Sequence, residues 1–389
     1  MNIQMYCYLW DLRDEGIDEA LDRLRGQAGM TGISLATQYH RIDQLRPHAG
    51  DEPVRFRSEG GAQFQYAADG YDTTRMRPVA AEWLRKSNPL RRVAEACTKR
   101  KMQLRAWHVC CHNPATVARY PDHAIQDVFG QRSTDWLCPS DADVREWLSS
   151  ELRDLAGHYP FEAIELETAC FPTRWRAEAS FKSGVELGAV DRWLMSLCFC
   201  ASCRQAALRE GVDVGRVTEE VRGHLVRLFE SGRTTQENIA AFVQEREHLA
   251  DFVAWRCRQV SSLLAYLREA CSIRLVVHEE GDRFWGGVEF DALAEHCDAL
   301  MVLYYEQDPV RMDEAVGAAM RDMGDISRVE LALSACDPPC TSPETLVAAM
   351  KRAAGLGIRS VNIYNYGLIP LERIEWINHA VKYARREAL

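Results

Sequence analysis

The chain has 389 residues, of which 47% are apolar and 27% are charged, as in soluble globular proteins. Its formal net charge of −10 argues against a nucleic acid or an anionic membrane as partner, and no apolar run is long enough to span a bilayer. The start lacks a basic segment followed by an apolar one, so we expect no signal peptide and a cytoplasmic protein. Fourteen cysteines without a secretion signal predict reduced thiols rather than a disulfide framework.

Short apolar runs alternate with helical patterns along the chain. Strands are predicted at residues 1–10, 32–40, 102–113, 161–171, 272–280, 299–306, 329–337 and 360–367. Helices are predicted at 15–26, 82–100, 141–157, 291–296, 312–323, 342–356 and 371–385. Residues 204–270 are richly helical and longer than a simple crossover, so they predict a helical hairpin inserted into the fourth crossover.

Eight strands alternating with helices predict an α/β fold, a (β/α)8 TIM barrel that forms one domain over residues 1–389. A doubly wound open sheet is the alternative. It is disfavoured because no glycine-rich phosphate turn follows the first strand, where Trp10-Asp-Leu-Arg-Asp14 stands instead.

The segment 41–78, after the second strand, is polar and long for a loop, and it carries Phe64 and Tyr66. Long loops in compact domains are usually functional. We therefore expect this segment to cover the strand ends as part of a binding site.

The active site of such a barrel lies at the C-terminal ends of its strands, and almost every predicted strand becomes polar or aromatic there. Alternation places Glu165 and Glu167 on one face of the fourth strand. Converging acids, histidines and aromatic rings favour a pocket for a small neutral carbohydrate, and glycoside hydrolysis needs two carboxylates, one protonated and one ionised. The residues that we assign to this site are His40, His112, Asn113, Glu165, Glu167, His278, Glu280, Tyr305, Glu306, Asp337, Tyr364 and Asn365.

Some of these carboxylates have a plain structural interpretation, because a buried acid is costly unless it is paired. Arg105 on the neighbouring strand is a candidate partner for Glu165. Of Glu279 and Glu280, one is expected to face the helix layer. Glu330, at the start of a strand, is expected to face solvent.

The run Cys198-Phe-Cys-Ala-Ser-Cys203 places three thiols within six residues. A tetrahedral zinc site needs four such ligands, so this spacing predicts most of one. The alternative is a set of inert buried thiols.

The segment Leu137-Cys-Pro-Ser-Asp-Ala-Asp-Val-Arg-Glu146 precedes a predicted helix, the strand ending in Glu167 follows, and the cysteine run comes next. This order resembles the glycoside hydrolase family 42 β-galactosidases. It is also similar to bacterial barrels described as hypothetical glycosyl hydrolases, which share the Leu-Cys-Pro helix start and the Cys-Phe-Cys-x-x-Cys run. The match covers residues 138–207 and is only architectural elsewhere.

The resemblance implies Glu167 as general acid/base and leaves a homo-oligomer open. It also implies a structural zinc held by Cys138, Cys198, Cys200 and Cys203. Two departures concern the catalytic pair: Leu166 stands where the family has Asn, and the seventh strand ends in Ser334-Ala-Cys-Asp337 where the family has its nucleophilic Glu. The second carboxylate thus stays open between Asp337, Glu306, and Glu279 or Glu280.

Three functional hypotheses follow from the sequence. The first is a glycoside hydrolase with Glu167 as proton donor and Asp337 or Glu306 as second carboxylate. The second is a barrel that binds sugar without hydrolysing it. The third is a metal-dependent sugar isomerase or epimerase with ligands such as His112, Glu167, His278 and Glu306.

Overall fold

The computed structural model describes residues 1–84, 87–175, 181–306 and 308–387. Its centre is a closed parallel barrel of eight strands, in which the first strand pairs with both the second and the eighth. This confirms the predicted (β/α)8 fold. The strands are β1 (Asn2–Cys7), β2 (Gly32–Tyr39), β3 (Gln103–Val109), β4 (Ala163–Glu167), β5 (Arg274–His278), β6 (Ala299–Leu303), β7 (Val329–Ser334) and β8 (Ser360–Tyr364).

Helices surround the barrel and bury one apolar face each. The α-helices within the described ranges are Leu9–Glu15, Ile17–Asp22, Pro89–Arg100, Pro114–Arg119, Ala142–His158, Ala189–Ser196, Ala201–Arg209, Val214–Ser231, Ile239–Gln244, Glu247–Ala270, Phe290–Leu293, Pro309–Met323, Pro343–Gly355 and Arg373–Glu387. A π-helical turn spans Arg23–Ala28, and 3-10 turns span Ala68–Tyr71, Pro121–His123, Ile326–Arg328 and Tyr366–Leu368.

Helix starts explain two differences from the predicted bounds. The helix predicted at 82–100 begins at Pro89, because the Asn88 side chain accepts a hydrogen bond from the backbone N–H of Arg91 at 3.0 Å and proline suits the first helical position. Residues 85 and 86 of that prediction lie outside the described residues. The first strand ends at Cys7 rather than at residue 10, and a short helix begins at Leu9.

The fourth crossover, between β4 and β5, carries the helical insertion, and its helices begin at Ala189 rather than at residue 204. Glu247–Ala270 packs against Ala142–His158 in the outer helix layer, and Val214–Ser231 packs on Glu247–Ala270. None of the helices in the described ranges is both long and apolar enough to cross a membrane.

Antiparallel ribbons stand at the C-terminal end of the barrel. Ile42–Leu45 pairs with Arg55–Ser58 after β2, and Gly61–Ala62 pairs with the end of β2 itself. Ala124–Gln126 pairs with Arg132–Leu137 after β3. The predicted loop 41–78 therefore begins with a folded hairpin, and a second hairpin follows β3.

A charged network fills the lower interior of the barrel. Arg105 donates to Glu165 at 3.0 Å and to Glu330 at 2.6 and 2.8 Å, and Asn362 donates to Glu165 at 3.0 Å. Glu330 is only 2% exposed, so the expectation that it faces solvent is wrong: barrel closure turns the start of β7 towards Arg105. The expected pairing of Glu165 with Arg105 is confirmed.

Candidate active site

Glu167 ends β4 and is half-buried at the mouth of the barrel. The indole Nε1 of Trp107, on the neighbouring β3, donates to its Oε2 at 2.5 Å. Burial and the nearby charge of Glu280 raise the pKa of Glu167 to about 7, against the opposing influence of His278 and Trp107. This carboxyl group is therefore partly protonated at neutral pH, as a general acid must be.

Glu280 is the second carboxylate at the mouth. It lies two residues beyond His278, so alternation turns both side chains to the same face. The backbone N–H of Thr168 donates to its Oε2 at 3.1 Å, and Thr168 has a φ of +56°, a left-handed conformation that is uncommon for threonine. Burial raises the pKa of Glu280 above its ordinary value, while the charge of His278 and the Thr168 N–H oppose the rise.

Glu279 points the other way, as expected for one member of this pair. Burial and the charge of Asp322, in the helix Pro309–Met323, raise its pKa to about 7. It therefore belongs to the contact between β5 and the helix layer.

His278 lies beneath the two carboxylates and is buried. Its Nε2 is 3.2 Å from the Tyr6 hydroxyl and 3.4 Å from Glu165. Burial lowers its pKa, but the hydrogen bond to Glu165 and the charges of Glu165, Glu167 and Glu280 raise it more, so the net shift is upward. A positive charge on this ring stabilises the anionic form of a carboxylate above it.

Glu165 supports this arrangement from below and does not reach the mouth. Burial alone would raise its pKa, but Arg105, His278 and Asn362 lower it to about 2. Glu165 is thus ionised at neutral pH and positions His278, and the structure buries it completely below the mouth, where we expected a substrate-binding residue.

Tyrosine hydroxyl groups line the inner side of the mouth. The Tyr8 hydroxyl lies 2.9 Å from the hydroxyls of both Tyr39 and Tyr364. The ring of Tyr305 packs on Tyr364 with centroids 5.3 Å apart, and Tyr305 is half-buried. Tyr305 and Tyr364 were expected at the site, and the structure brings them together there.

A row of stacked rings leads away from the tyrosines. Tyr39 stacks on His40 with centroids 4.3 Å apart, His40 on His112 at 4.6 Å, and His112 on Trp136 at 4.9 Å. Burial and the neighbouring His112 lower the pKa of His40 to about 4, so its ring is neutral. His112 also approaches Asp135, with Nε2 and Oδ2 3.7 Å apart.

Glu306 and Asp337, predicted as partners of Glu167, are surface residues. Glu306 is exposed and pairs with Arg311 at 2.7 Å, and the Asp337 side chain is 67% exposed and pairs with Arg373 at 2.6 Å. The reason is geometric: β6 ends at residue 303 and β7 at residue 334, so both acids lie in loops beyond the barrel. The structure places Glu280 beside Glu167 instead.

Asn113 and Asn365 have capping roles. The Asn113 side chain accepts from the N–H of Thr116 at 3.2 Å and begins a helix, and the Asn365 side chain accepts from the N–H of Gly367 at 3.1 Å. Both side chains are fully buried, and the substrate contact expected of them stays a prediction.

The structure gives packing contacts to both aromatic residues that we singled out in the segment 41–78. Phe64 is 1% exposed and belongs to the core, and Tyr66 packs on Tyr71. Phe56 on the hairpin stacks instead on Trp10, with centroids 4.8 Å apart, at the rim of the barrel.

Sequence reasoning missed Trp107 and Trp136. Trp107 lies two residues after Arg105, so alternation along β3 could have placed it on the inner face. Trp136 belongs to a hairpin strand whose contact with His112 is not visible in the sequence.

The four cysteines converge as expected. The Sγ atom of Cys138 lies 4.0, 3.5 and 3.4 Å from those of Cys198, Cys200 and Cys203, and all four side chains are buried. A tetrahedron with zinc–sulfur bonds of about 2.3 Å has edges of about 3.8 Å. The donor set therefore fits a four-thiolate zinc.

Arg256 gives a second reason for a metal. Its guanidinium is fully buried over the Phe171 ring at 4.8 Å and donates from Nη1 to the Phe284 carbonyl, while Nε and Nη2 have no hydrogen-bond partner. The sulfur atoms of Cys198 and Cys203 are among its electrostatic partners. A zinc ion with four thiolates carries a net charge of −2, which would balance this buried cation.

The ligand set of the isomerase hypothesis does not assemble. Within the described ranges, the groups of three or more potential ligands close enough to share a metal are the four cysteines and the set His123, Asp141 and Asp143. Neither group contains His112, Glu167, His278 or Glu306.

Comparisons with known proteins agree with the barrel. No family model and no curated protein matches the chain. Among solved structures, it is similar to α-L-fucosidase isoenzyme 2 from Paenibacillus thiaminolyticus, with a TM-score of 0.60 and 12% identity over 100% of this chain and 50% of that one. It is similar to the PgaB (BpsB) glycoside hydrolase domain from Bordetella bronchiseptica, with a TM-score of 0.59 and 14% identity over 100% and 98%.

A β-galactosidase from the psychrophilic Marinomonas ef1 matches with a TM-score of 0.57 and 11% identity over 99% of this chain and 59% of that chain. The chain thus spans about half the length of the fucosidase and three fifths of the β-galactosidase. At these identities the likeness concerns the fold, and the chain has the TIM-barrel fold that these glycoside hydrolases share.

Proposed function

We propose that the protein is a glycoside hydrolase in which Glu167 is the general acid and Glu280 the second carboxylate. The observation that carries this proposal is the pair itself: two half-buried acids at the C-terminal ends of adjacent strands, with the pKa of Glu167 raised to about 7 by burial and by Glu280. Pairs of acids whose environments keep one protonated and one ionised are the requirement of glycoside hydrolysis.

The residues divide the chemistry as follows. Protonated Glu167 gives its proton to the glycosidic oxygen as the bond from that oxygen to the anomeric carbon breaks. Positive charge develops on the sugar ring and is stabilised by the Glu280 carboxylate. Water then adds to the anomeric carbon, and its proton passes to a carboxylate of the pair, which completes hydrolysis.

The test is hydrolysis of aryl glycosides by Glu167→Gln and Glu280→Gln, with Glu306→Gln and Asp337→Asn as matched controls on exposed acids. Loss of the general acid should lower kcat by about 10²–10⁴-fold for poor leaving groups and much less for nitrophenolates, which need little protonation. Glu280→Gln should lower kcat for both classes. Equal small losses of kcat for both leaving groups in Glu167→Gln would reject Glu167 as the general acid. A large loss of kcat in Asp337→Asn would instead favour Asp337 as the second carboxylate.

We also propose that Cys138, Cys198, Cys200 and Cys203 hold a structural zinc. Four thiolates complete a tetrahedral shell and leave no coordination position for substrate. The metal would stabilise the connections that follow β3 and β4, while the chemistry stays with the carboxylates.

A further inference from the structure

A groove of about 270 Å³ opens beside the barrel mouth, between the hairpin of residues 124–137 and the segment that follows β4. Its walls include Arg132, Asp135, Trp136, Arg174, Trp175 and Phe181. The volume is near the lower end of small-molecule sites, at roughly 300 Å³. Glu167 is not part of its lining, so the groove lies outside the carboxylate pair.

Three features relate the groove to the catalytic pair. Trp136 is the last ring of the row that begins at Tyr39, so one continuous aromatic wall runs from the barrel mouth into the groove. Asp135 pairs with His112 within that wall. The charge of Arg174, on the opposite side, acts on both Glu167 and Glu280. The ring row and Arg174 therefore place the groove next to the two carboxylates.

The lining combines ring faces with polar groups of balanced charge. Trp175 and Phe181 form an edge-to-face pair with centroids 5.2 Å apart, and Phe181 is 47% exposed. Among the charged groups of the lining, Asp127 and Asp135 offset Arg132 and Arg174. Exposed ring faces beside hydrogen-bonding groups without net charge suit the apolar faces and hydroxyls of a neutral sugar.

We propose that this groove binds the continuing sugar units of a neutral oligosaccharide whose scissile bond lies at Glu167 and Glu280. The identity of the scissile bond rests on the proposed hydrolase function, whereas binding of sugar in the groove does not. The substrate class is then an extended glycan rather than the small glycoside expected from the sequence. Affinity should increase with chain length, and that increase should depend on Trp175 and Phe181.

The experiment measures binding by calorimetry to Glu167→Gln protein, which prevents turnover. The probes are mono-, di- and trisaccharides of β-1,4-linked glucose, N-acetylglucosamine, mannose and galactose. Trp175→Ala and Phe181→Ala are introduced into this background. Tyr383→Ala is the control, because it removes another exposed ring, from the helix Arg373–Glu387, and Tyr383 is 43% exposed. We expect at least one series in which the trisaccharide binds more tightly than the monosaccharide.

In that series, each groove variant should weaken trisaccharide binding by about 2- to 10-fold and leave the monosaccharide and the control unchanged. Equal affinity for all lengths, no binding by any trisaccharide, or unchanged binding in both groove variants would overturn the proposal. Length-dependent binding without hydrolysis by the wild type would reject the hydrolase function and keep the groove. Hydrolysis at the same rate for all chain lengths, with equal affinity for all lengths, would keep the hydrolase function and reject the groove.

Discussion

Trp107 is one of several influences that set the pKa of Glu167. Burial and the charge of Glu280 favour the neutral acid, and the short hydrogen bond from the indole favours the anion. His278 also favours the anion from below. The pKa of about 7 is therefore the balance of opposing contacts, and each can be removed separately.

The first prediction concerns the variant Trp107→Phe, which deletes the N–H that favours ionised Glu167. Activity requires protonated Glu167, so kcat/KM falls as the pH rises through its pKa. Removing the donor raises that pKa, so the falling limb should move upward by about one to two pH units, since a hydrogen bond to a charged group is worth roughly 1.5–3 kcal/mol. The measurement is the pH profile of kcat/KM.

Trp255→Phe is its control, because Trp255 is a buried indole whose Nε1 has no hydrogen-bond partner. It should leave the limb in place. A limb unmoved in Trp107→Phe would show that another group governs the alkaline side.

At the scale of elements, the segment 41–78 carries two phenylalanines with different surroundings. Phe56, on the hairpin of Ile42–Leu45 and Arg55–Ser58, lies at the barrel rim, whereas Phe64 lies in the core. Phe56 stacks on Trp10 and lies edge-to-face to Trp83 with centroids 6.4 Å apart. Phe64, after the short strand Gly61–Ala62, is buried against the main core. The two phenylalanines should therefore respond differently to truncation.

The second prediction compares Phe56→Ala with Phe64→Ala. Phe56→Ala should raise KM several-fold with a small loss of stability, because it opens the rim beside Trp10. Phe64→Ala should lower the free energy of unfolding by about 3–5 kcal/mol, as expected for a buried aromatic residue. Urea unfolding and steady-state kinetics on both variants make the comparison. The reverse assignment of effects would show that the segment 41–78 contacts substrate through Phe64.

The sequence predicts the strands well, but it predicts the residues at their ends only in part. Alternation of strands and helices suffices for the barrel, and the same rule, applied to His278 and Glu280, could have chosen Glu280 over Glu279 for the inner face. Asp337 could not be excluded as the second carboxylate from the sequence alone, because its position outside the barrel follows from the end of β7 at residue 334. The role of Asn113 could not be predicted either. An asparagine that follows a strand can contact substrate or cap a helix, and only the structure shows that Asn113 caps one.

At the scale of the whole molecule, barrel closure creates contacts that no local pattern contains. Arg105 and Glu330 are 225 residues apart and meet only because β3 and β7 face each other across the interior. The pKa of Glu165 is lowered to about 2, below its value of about 4.3 in an unfolded chain. Its ionisation thus contributes stability that is present above about pH 4 and is lost as the pH falls towards 2.

The cysteine cluster acts at the same scale, because it joins two connections. Cys138 follows the hairpin after β3, and Cys198, Cys200 and Cys203 lie in the crossover after β4. These connections also carry the two walls of the groove, Trp136 on one side and Trp175 with Phe181 on the other. A metal at the four thiols would hold both walls at a fixed distance from each other.

The third prediction is that the pure protein contains about one zinc per chain, measured by elemental analysis, as one four-thiolate site requires. Cys200→Ser should lower that content and reduce Tm by about 5 °C or more, because metal binding at such sites contributes directly to folding. Cys271→Ser, which alters a buried cysteine outside the cluster, is the control and should keep the metal. In Cys200→Ser the kcat of the correctly folded molecules should change little although Tm falls, since the four thiols are not expected to contact the substrate. Protein without metal, in which all four thiols react freely with a thiol reagent in the native state, would contradict the zinc site, and the uncompensated charge of Arg256 would then need another partner.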